Sequence, residues 1–117
     1  MAAELRVSEA IAQRFSGNQE IQLVRVRAAS NAVGRYGSVQ NWDAMAAELA
    51  VSAAIAQRFP SNPEIQLRRA GCLLAQTSSF YKFGLDKDAA EHELMTHLQQ
   101  HAYLMEMQPF SQLNRAT

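Results

Sequence analysis

The feature that most constrains the fold is an internal repeat. Residues 1–23 and 45–67 align without a gap, and 18 of the 23 positions are identical. The offset is 44 residues, and the string AIAQRF occurs in both copies, at 10–15 and at 54–59. A period of about 40–47 residues is typical of two- and three-helix units, each of which stacks on a neighbour to bury its apolar face. The repeat therefore predicts two copies of one small helical unit.

The composition favours helices and limits the kinds of partner. Alanine is abundant, and the chain has only 5 Gly and 3 Pro, which suits helix more than strand. Lys plus Arg and Asp plus Glu each total 11, so there is no electrostatic reason to expect nucleic acid or anionic lipid as the main partner. The single cysteine, Cys72, excludes an internal disulfide and a multi-cysteine zinc site.

The expected compartment follows from two further patterns. No apolar run has the length of a membrane span, and the first residues do not resemble a secretory signal. We therefore expect a protein of the cytoplasm or of an organelle interior, which is not secreted.

The second copy shows the predicted unit in full. One apolar stripe at helical spacing consists of Val51, Ala54, Ile55 and Phe59. Pro60 ends that helix, and Asn62 is a good N-cap for the next one. The copy therefore predicts a helical hairpin.

The first copy repeats each of these signals. Its apolar stripe consists of Val7, Ala10, Ile11 and Phe15. Asn18 is the predicted cap, and Gly34 is the predicted end of the second helix. We expect Ile11 and Ile55 both to be buried in hairpin cores.

A third element follows Gly84. Residues 88–107 predict one long helix that Pro109 ends, with a tail at 111–117. Because this helix does not match AIAQRF, we interpret it as a C-terminal capping helix. The resulting division is a single helical-repeat domain with repeat 1 at 1–37, repeat 2 at 38–84, and the C-terminal helix and tail at 85–117.

The second copy, AIAQRFPSNPEIQLRRAGCLLAQTSS, resembles the armadillo repeat and the related HEAT-like repeats. In the armadillo pattern a polar turn is followed by a helix with a Gly-Cys pair before Leu and Ala positions. The matching residues here are Gly71, Cys72, Leu74 and Ala75, whereas the first copy departs with Arg27, Ala28, Ser30 and Asn31. The resemblance covers about residues 1–80. It implies an all-α superhelix that binds proteins or scaffolds an assembly, and it implies no catalytic residues.

Two groups of residues are candidates for binding a partner protein. The basic candidates are Arg25 and Arg69, which repeat, and the adjacent Arg68. A ladder of cations on stacked units could bind an acidic peptide or phosphate groups, although solvated helix surface is the alternative interpretation. The aromatic candidates are Phe80, Tyr81 and Phe83, which are either interface anchors or part of the core near the last helix.

The histidines supply a metal-site hypothesis. Glu93, His97 and His101 are spaced to share one face of the predicted last helix, and two histidines four residues apart can bind one metal ion. His92 and His97 are five residues apart, which is one too many for the zincin motif. The alternative is a solvated polar face.

Taken together, these patterns predict a non-catalytic protein–protein interaction module, a scaffold or an accessory subunit of a larger assembly, with no cofactor. Two repeats are fewer than the three or so that a solenoid usually needs, and the first unit begins at Met1 without a lead-in. We therefore expect a partner to cover that end, or to contact the second helices after Leu23 and Leu67, where the copies diverge. The alternative is a small helical protein that binds a metal or cofactor through the histidine-containing helix.

Overall fold

The computed structural model describes residues 2–15 and 17–107 of the chain. These residues form five α-helices and one short 3₁₀-helix, and no strand occurs among them. The α-helices are α1 (Ala2–Arg14), α2 (Gln19–Ser38), α3 (Trp42–Arg58), α4 (Pro63–Lys82) and α5 (Asp88–Gln100), and the 3₁₀-helix is Ala102–Glu106. The all-α prediction is confirmed. None of the described helices is both long and apolar enough to cross a membrane.

The two helical hairpins turn at the predicted asparagines. The side chain of Asn18 accepts a hydrogen bond from the backbone N–H of Ile21 at 3.1 Å, and Asn62 accepts one from Ile65 at 3.1 Å. Each bond satisfies one of the backbone donors that a helix start leaves without a partner. Pro63 occupies the first turn of α4, where its missing N–H costs nothing.

A buried glutamine closes each turn from the inside. Gln22 Nε2 donates to the carbonyl oxygens of Ala12 at 2.9 Å and Phe15 at 3.2 Å, which belong to the end of α1. Gln66 does the same in the second unit, at 2.9 and 3.0 Å. Both side chains are almost completely buried. The two units therefore share their turn chemistry as well as their helices.

The second helix of each hairpin lies between two first helices. α2 packs against both α1 and α3, and α4 packs against both α3 and α5. The position of α5 against α4 is thus equivalent to the position of α3 against α2. Its buried residues Ala90, Leu94 and Leu98 are spaced at i, i+4 and i+8, which is one apolar stripe. This placement agrees with the interpretation of α5 as a helix that covers the end of the second unit.

The hydrophobic core has a large part and a small part. The large part consists of Ala29, Val33, Met45, Leu49, Ala70, Cys72, Leu73, Leu94, Leu98 and Leu104. The small part consists of Val26, Ile55, Ala56 and Ile65, near the turns of the hairpins. Both parts join residues of different units, so each hairpin depends on its neighbour for burial.

α2 and α4 also pack directly against each other, and small residues allow the close approach. A Cβ atom at Gly37 would lie 2.2 Å from Ser79 Oγ, and one at Gly71 would lie 3.3 Å from Ser30 Oγ. The residue equivalent to Gly37 in the second unit is Tyr81, which is exposed. The two second helices therefore meet through non-equivalent residues, and we interpret the divergence of the copies after Leu23 and Leu67 as a consequence of this contact.

Two predicted helix ends are wrong. α2 continues through Gly34 to Ser38, because one glycine inside a helix lowers its stability without breaking it. The last helix stops at Gln100 and not near residue 107, because the backbone of His101 leaves the helical region at φ −126° and ψ 65°. The following 3₁₀ turn returns Leu104 to the core, where it is fully buried. Pro109 and the tail at 111–117 lie outside the described residues.

Candidate functional site

The apolar stripe of α1 is open to solvent. Val7, Ile11 and Phe15 have 61%, 45% and 44% of their surface exposed. They are spaced at i, i+4 and i+8, so they lie on one face of the helix. The prediction that Ile11 is buried in its hairpin core is therefore wrong. We call these three residues the α1 face.

The identical stripe in the second unit is covered. Ile55 is only 3% exposed, which confirms its predicted burial, and Val51 and Phe59 pack beside it. The side chains that cover them include Leu23 and Val26 of α2. The difference between the two stripes is thus a difference in neighbours, since their sequences are the same. A helix of the preceding unit covers the second stripe, and nothing in the described chain plays that part for the α1 face.

Two grooves occupy equivalent places between the first helices. The first lies between α1 and α3 and contains two cavities of about 390 and 150 Å³, both lined by Glu9 and Arg25. The second lies between α3 and α5 and is a single cavity of about 520 Å³, lined in part by Ala53 and Arg69. The offset of 44 relates Glu9 to Ala53 and Arg25 to Arg69. The grooves are therefore two versions of one surface.

Arg25 is held by two carboxylates in the first groove. Its Nε donates to Glu9 at 2.6 Å, and its two terminal nitrogens donate to Glu48 at 2.8 and 3.1 Å. Burial disfavours the charge, but the bonds to Glu48 and Glu9 outweigh it, so the pKa of Arg25 is raised. The forked arrangement with Glu48 is the strong, bidentate form of the ion pair. This arginine joins α1, α2 and α3.

Among the described residues, Arg69 has one carboxylate partner in the second groove. Its Nη2 donates to Glu93 at 3.1 Å, while Nη1 donates to Ser52 Oγ at 2.8 Å and to the Leu49 carbonyl oxygen at 3.1 Å. Here burial outweighs the charge of Glu93, so the pKa of Arg69 is lowered. The second carboxylate is missing because Ala53 stands where Glu9 stands in the first unit.

The alternative interpretation of Arg25 and Arg69 as solvated helix surface is wrong. Arg25 is 2% exposed and Arg69 is 9% exposed, and both bond to residues of this chain. Arg68 is partly buried, and its Nε is buried without a hydrogen-bond partner. The partner-binding role of Arg25 and Arg69 stays a prediction from the sequence, and Arg69 lines the groove between α3 and α5. Their observed contacts join neighbouring helices.

The aromatic candidates divide between the core and the surface. Trp42 meets Phe80 edge to face at 5.5 Å between ring centres, and it meets Phe83 at 5.9 Å. Through these contacts the start of α3 packs against the end of α4. Tyr81, in contrast, has 73% of its surface exposed. Tyr81 is therefore the one of the three aromatics that remains available to a partner.

The predicted histidine cluster is only partly assembled. The rings of His97 and His101 lie 4.7 Å apart. However, His97 Nε2 lies 3.1 Å from the Gln66 carbonyl oxygen, and Glu93 is paired with Arg69. Among the described residues no group of three or more His, Cys, Asp or Glu side chains is arranged to hold a metal ion. The metal-binding alternative stays a prediction from the sequence, without a ligand set in this geometry.

Cys72 is a packing residue. Its side chain is fully buried in the large part of the core. Burial raises the pKa of the Cys72 thiol, so the neutral form is favoured at physiological pH. A protonated thiol in a closed core is a poor nucleophile.

His97 gives the chain a predicted dependence on pH. Burial lowers the pKa of His97, the Gln66 carbonyl opposes the shift, and the charges of His101 and Arg69 add to it. A lowered pKa means that the unfolded chain binds the proton more tightly, at about pH 6.5. The contribution of neutral His97 to the free energy of unfolding is therefore fully present above about pH 6.5, and it decreases as the pH falls below that value.

We expect His97→Gln to reduce this loss, because an amide can still donate to the Gln66 carbonyl and does not titrate in this range. Thermal unfolding followed by circular dichroism between pH 8 and pH 5 measures the effect. His92→Gln is the matched control, since His92 is exposed on the same helix. An equal loss of stability with acid in the wild type and in His97→Gln would contradict the assignment.

Comparisons with protein-family models, with curated proteins and with solved structures find no match. The resemblance to armadillo and HEAT-like repeats therefore stays a prediction from the sequence. The most informative residue that the sequence reasoning missed is Ala53. Its signal was present, because the pair Glu9 and Ala53 is among the few positions at which the two copies differ.

Proposed function

We propose that this chain is a non-catalytic protein-interaction module that binds a helix of a partner protein on the α1 face. The observation that supports the proposal is the contrast between two identical stripes, one exposed and one covered. Val7, Ile11 and Phe15 are open, whereas Ile55 is 3% exposed. An exposed row of aliphatic and aromatic side chains is the usual anchor of a helix-in-groove complex.

The second unit indicates what kind of helix fits. Val51, Ile55 and Phe59 pack against Leu23 and Val26, which are three residues apart on α2. A helix with aliphatic residues at i and i+3 therefore complements this stripe. Because the α1 face has the same side chains at the same spacing, the partner is expected to present such a pair. In this proposal the chain acts as a scaffold or as an accessory subunit of a larger assembly. Such roles are those implied by its resemblance to armadillo and HEAT-like repeats.

A peptide with the sequence of residues 19–38 is the direct probe. We expect a fluorescently labelled peptide to bind the full chain saturably in an anisotropy titration. Ile11→Asp should weaken this binding at least about tenfold, because burying an unpaired carboxylate costs more than the 1.4 kcal/mol that corresponds to a factor of ten. Since Ile11 is half exposed, the same substitution should leave the fold intact.

Tyr81→Asp is the matched control, because Tyr81 is exposed on α4 and is not part of the α1 face. Loss of peptide binding in Tyr81→Asp but not in Ile11→Asp would move the interaction surface to the aromatic cluster and contradict the proposal. Light scattering tests the other occupant of the face. If the wild-type chain is a dimer and Ile11→Asp is a monomer, a second copy of the chain covers the α1 face and not a partner helix.

A further inference from the structure

We propose that the groove between α3 and α5 binds a carboxylate from outside the chain, beside Arg69, in the position that Glu9 fills beside Arg25. The ligand is either a small free acid or an acidic side chain of a peptide, which share this chemistry. The site is separate from the α1 face, so its failure would leave the proposed function untouched.

Arg69 lacks the second carboxylate partner that Arg25 has among the described residues. In the first groove, Glu9 and Glu48 both bond to Arg25. In the second groove, Glu93 occupies the position of Glu48, one helix further along the chain, and bonds to Arg69 at 3.1 Å. Ala53 leaves the other carboxylate position empty. A guanidinium has five N–H donors, so Arg69 has the capacity to bind a second anion.

The polarity of its walls distinguishes the second groove from the first. The second groove is one continuous cavity of about 520 Å³, whereas the first is divided into cavities of about 390 and 150 Å³. The walls also differ. Where α3 presents Val51 and Ile55 to the first groove, α5 presents Thr96 and Gln100 to the second. A polar wall beside a buried cation suits a hydrated anionic group, whereas an apolar wall suits packing.

The charges around the groove between α3 and α5 also favour an anion. Glu93 is its only acidic lining residue among the described part of the chain, and it is already paired with Arg69. The basic and imidazole lining residues are Arg69, His92, His97 and His101. A carboxylate that enters next to Arg69 would be opposed by one anion and attracted by one permanent cation, with imidazole donors nearby. The arrangement therefore favours one carboxylate group beside Arg69, of the kind that Glu9 supplies in the first groove.

The experiment replaces the external carboxylate by an internal one. Ala53→Glu restores the first-groove pattern, so its own side chain should pair with Arg69 and close the site. Ala50→Glu is the matched control, since Ala50 is exposed on the same helix and does not line the groove. The probes are succinate, a tri-glutamate peptide with blocked ends, and inorganic phosphate, each at constant ionic strength. The ring C–H signals of His97 and His101 in NMR spectra report occupancy.

We expect saturable shifts of these signals with succinate or with the acidic peptide in the wild type and in Ala50→Glu. The apparent Kd should be at least about tenfold weaker in Ala53→Glu, whose melting temperature should exceed that of Ala50→Glu. If succinate binds more tightly than the tri-glutamate peptide, the ligand is a small free acid. If the peptide binds more tightly than succinate, the ligand is an acidic side chain. Binding of phosphate alone, no saturation, or equal binding in Ala53→Glu would overturn the proposal.

Discussion

Ile55→Ala is expected to lower the free energy of unfolding by about 2–5 kcal/mol, and Ile11→Ala by only about 1 kcal/mol or less. The two isoleucines have the same sequence context, but Ile55 is 3% exposed and Ile11 is 45% exposed. Removing Ile55 leaves a cavity in the small part of the core, beside Val26 and Ile65. Removing Ile11 takes away side-chain atoms that already contact water.

Urea unfolding followed by circular dichroism measures both values, and the repeat makes each variant the control for the other. If the two substitutions destabilise the chain equally, the α1 face is covered in solution and the contrast between the stripes is lost. A larger loss for Ile11→Ala would be a still stronger contradiction. Because the two stripes have the same sequence, a larger loss of unfolding free energy in Ile55→Ala than in Ile11→Ala reports the difference in burial alone.

Gly37→Ala is expected to lower the free energy of unfolding by about 1–3 kcal/mol, because the added methyl group overpacks the contact between α2 and α4. The new Cβ would lie 2.2 Å from Ser79 Oγ and 2.9 Å from Ser79 Cβ, so rotation of the hydroxyl alone does not relieve the clash. Gly34→Ala is the control on the same helix. Nothing lies within 4 Å of its added Cβ, and the change should stabilise α2 by about 0.5–1 kcal/mol.

Ser79→Gly should recover part of the loss in the double variant. A double-mutant cycle then gives the coupling energy between the two positions, which is about 0.5–3 kcal/mol for residues in contact. Additive effects of Gly37→Ala and Ser79→Gly would show that the two helices do not meet at this point. In that case the explanation for the divergence of the second helices would also fail.

Local sequence signals predicted the hairpins well. Asn18 and Asn62 cap their helices as expected, and the stripe of Val51, Ile55 and Phe59 is apolar at the predicted spacing. These features depend on residues within a few positions of one another. The same local signals, read alone, missed the end of α5, because the break at His101 accompanies the return of Leu104 to a core formed by other helices.

The features of the candidate sites that were not predicted depend on neighbours. The apolar stripes that contain Ile11 and Ile55 are identical in sequence, so the stripe itself does not show which copy is covered, and the position of α2 decides this. Arg25 was expected on the surface, but its partner Glu48 lies in the other unit and draws the guanidinium inside. The substitution of Ala53 for Glu9 was visible in the alignment of the two copies. The consequence of this substitution could not be predicted from the sequence, because it depends on the hydrogen bond between Glu9 and Arg25.

The most direct test of the α1 face as a docking surface is a methyl NMR titration with the peptide of residues 19–38. The chain has four isoleucines, Ile11, Ile21, Ile55 and Ile65, so each δ1 methyl signal can be assigned by substitution. We predict that the peptide shifts the Ile11 signal saturably and leaves that of Ile55, which α2 already covers, nearly unchanged. An unchanged Ile11 signal at saturating peptide, or a shift at Ile55 alone, would contradict the account.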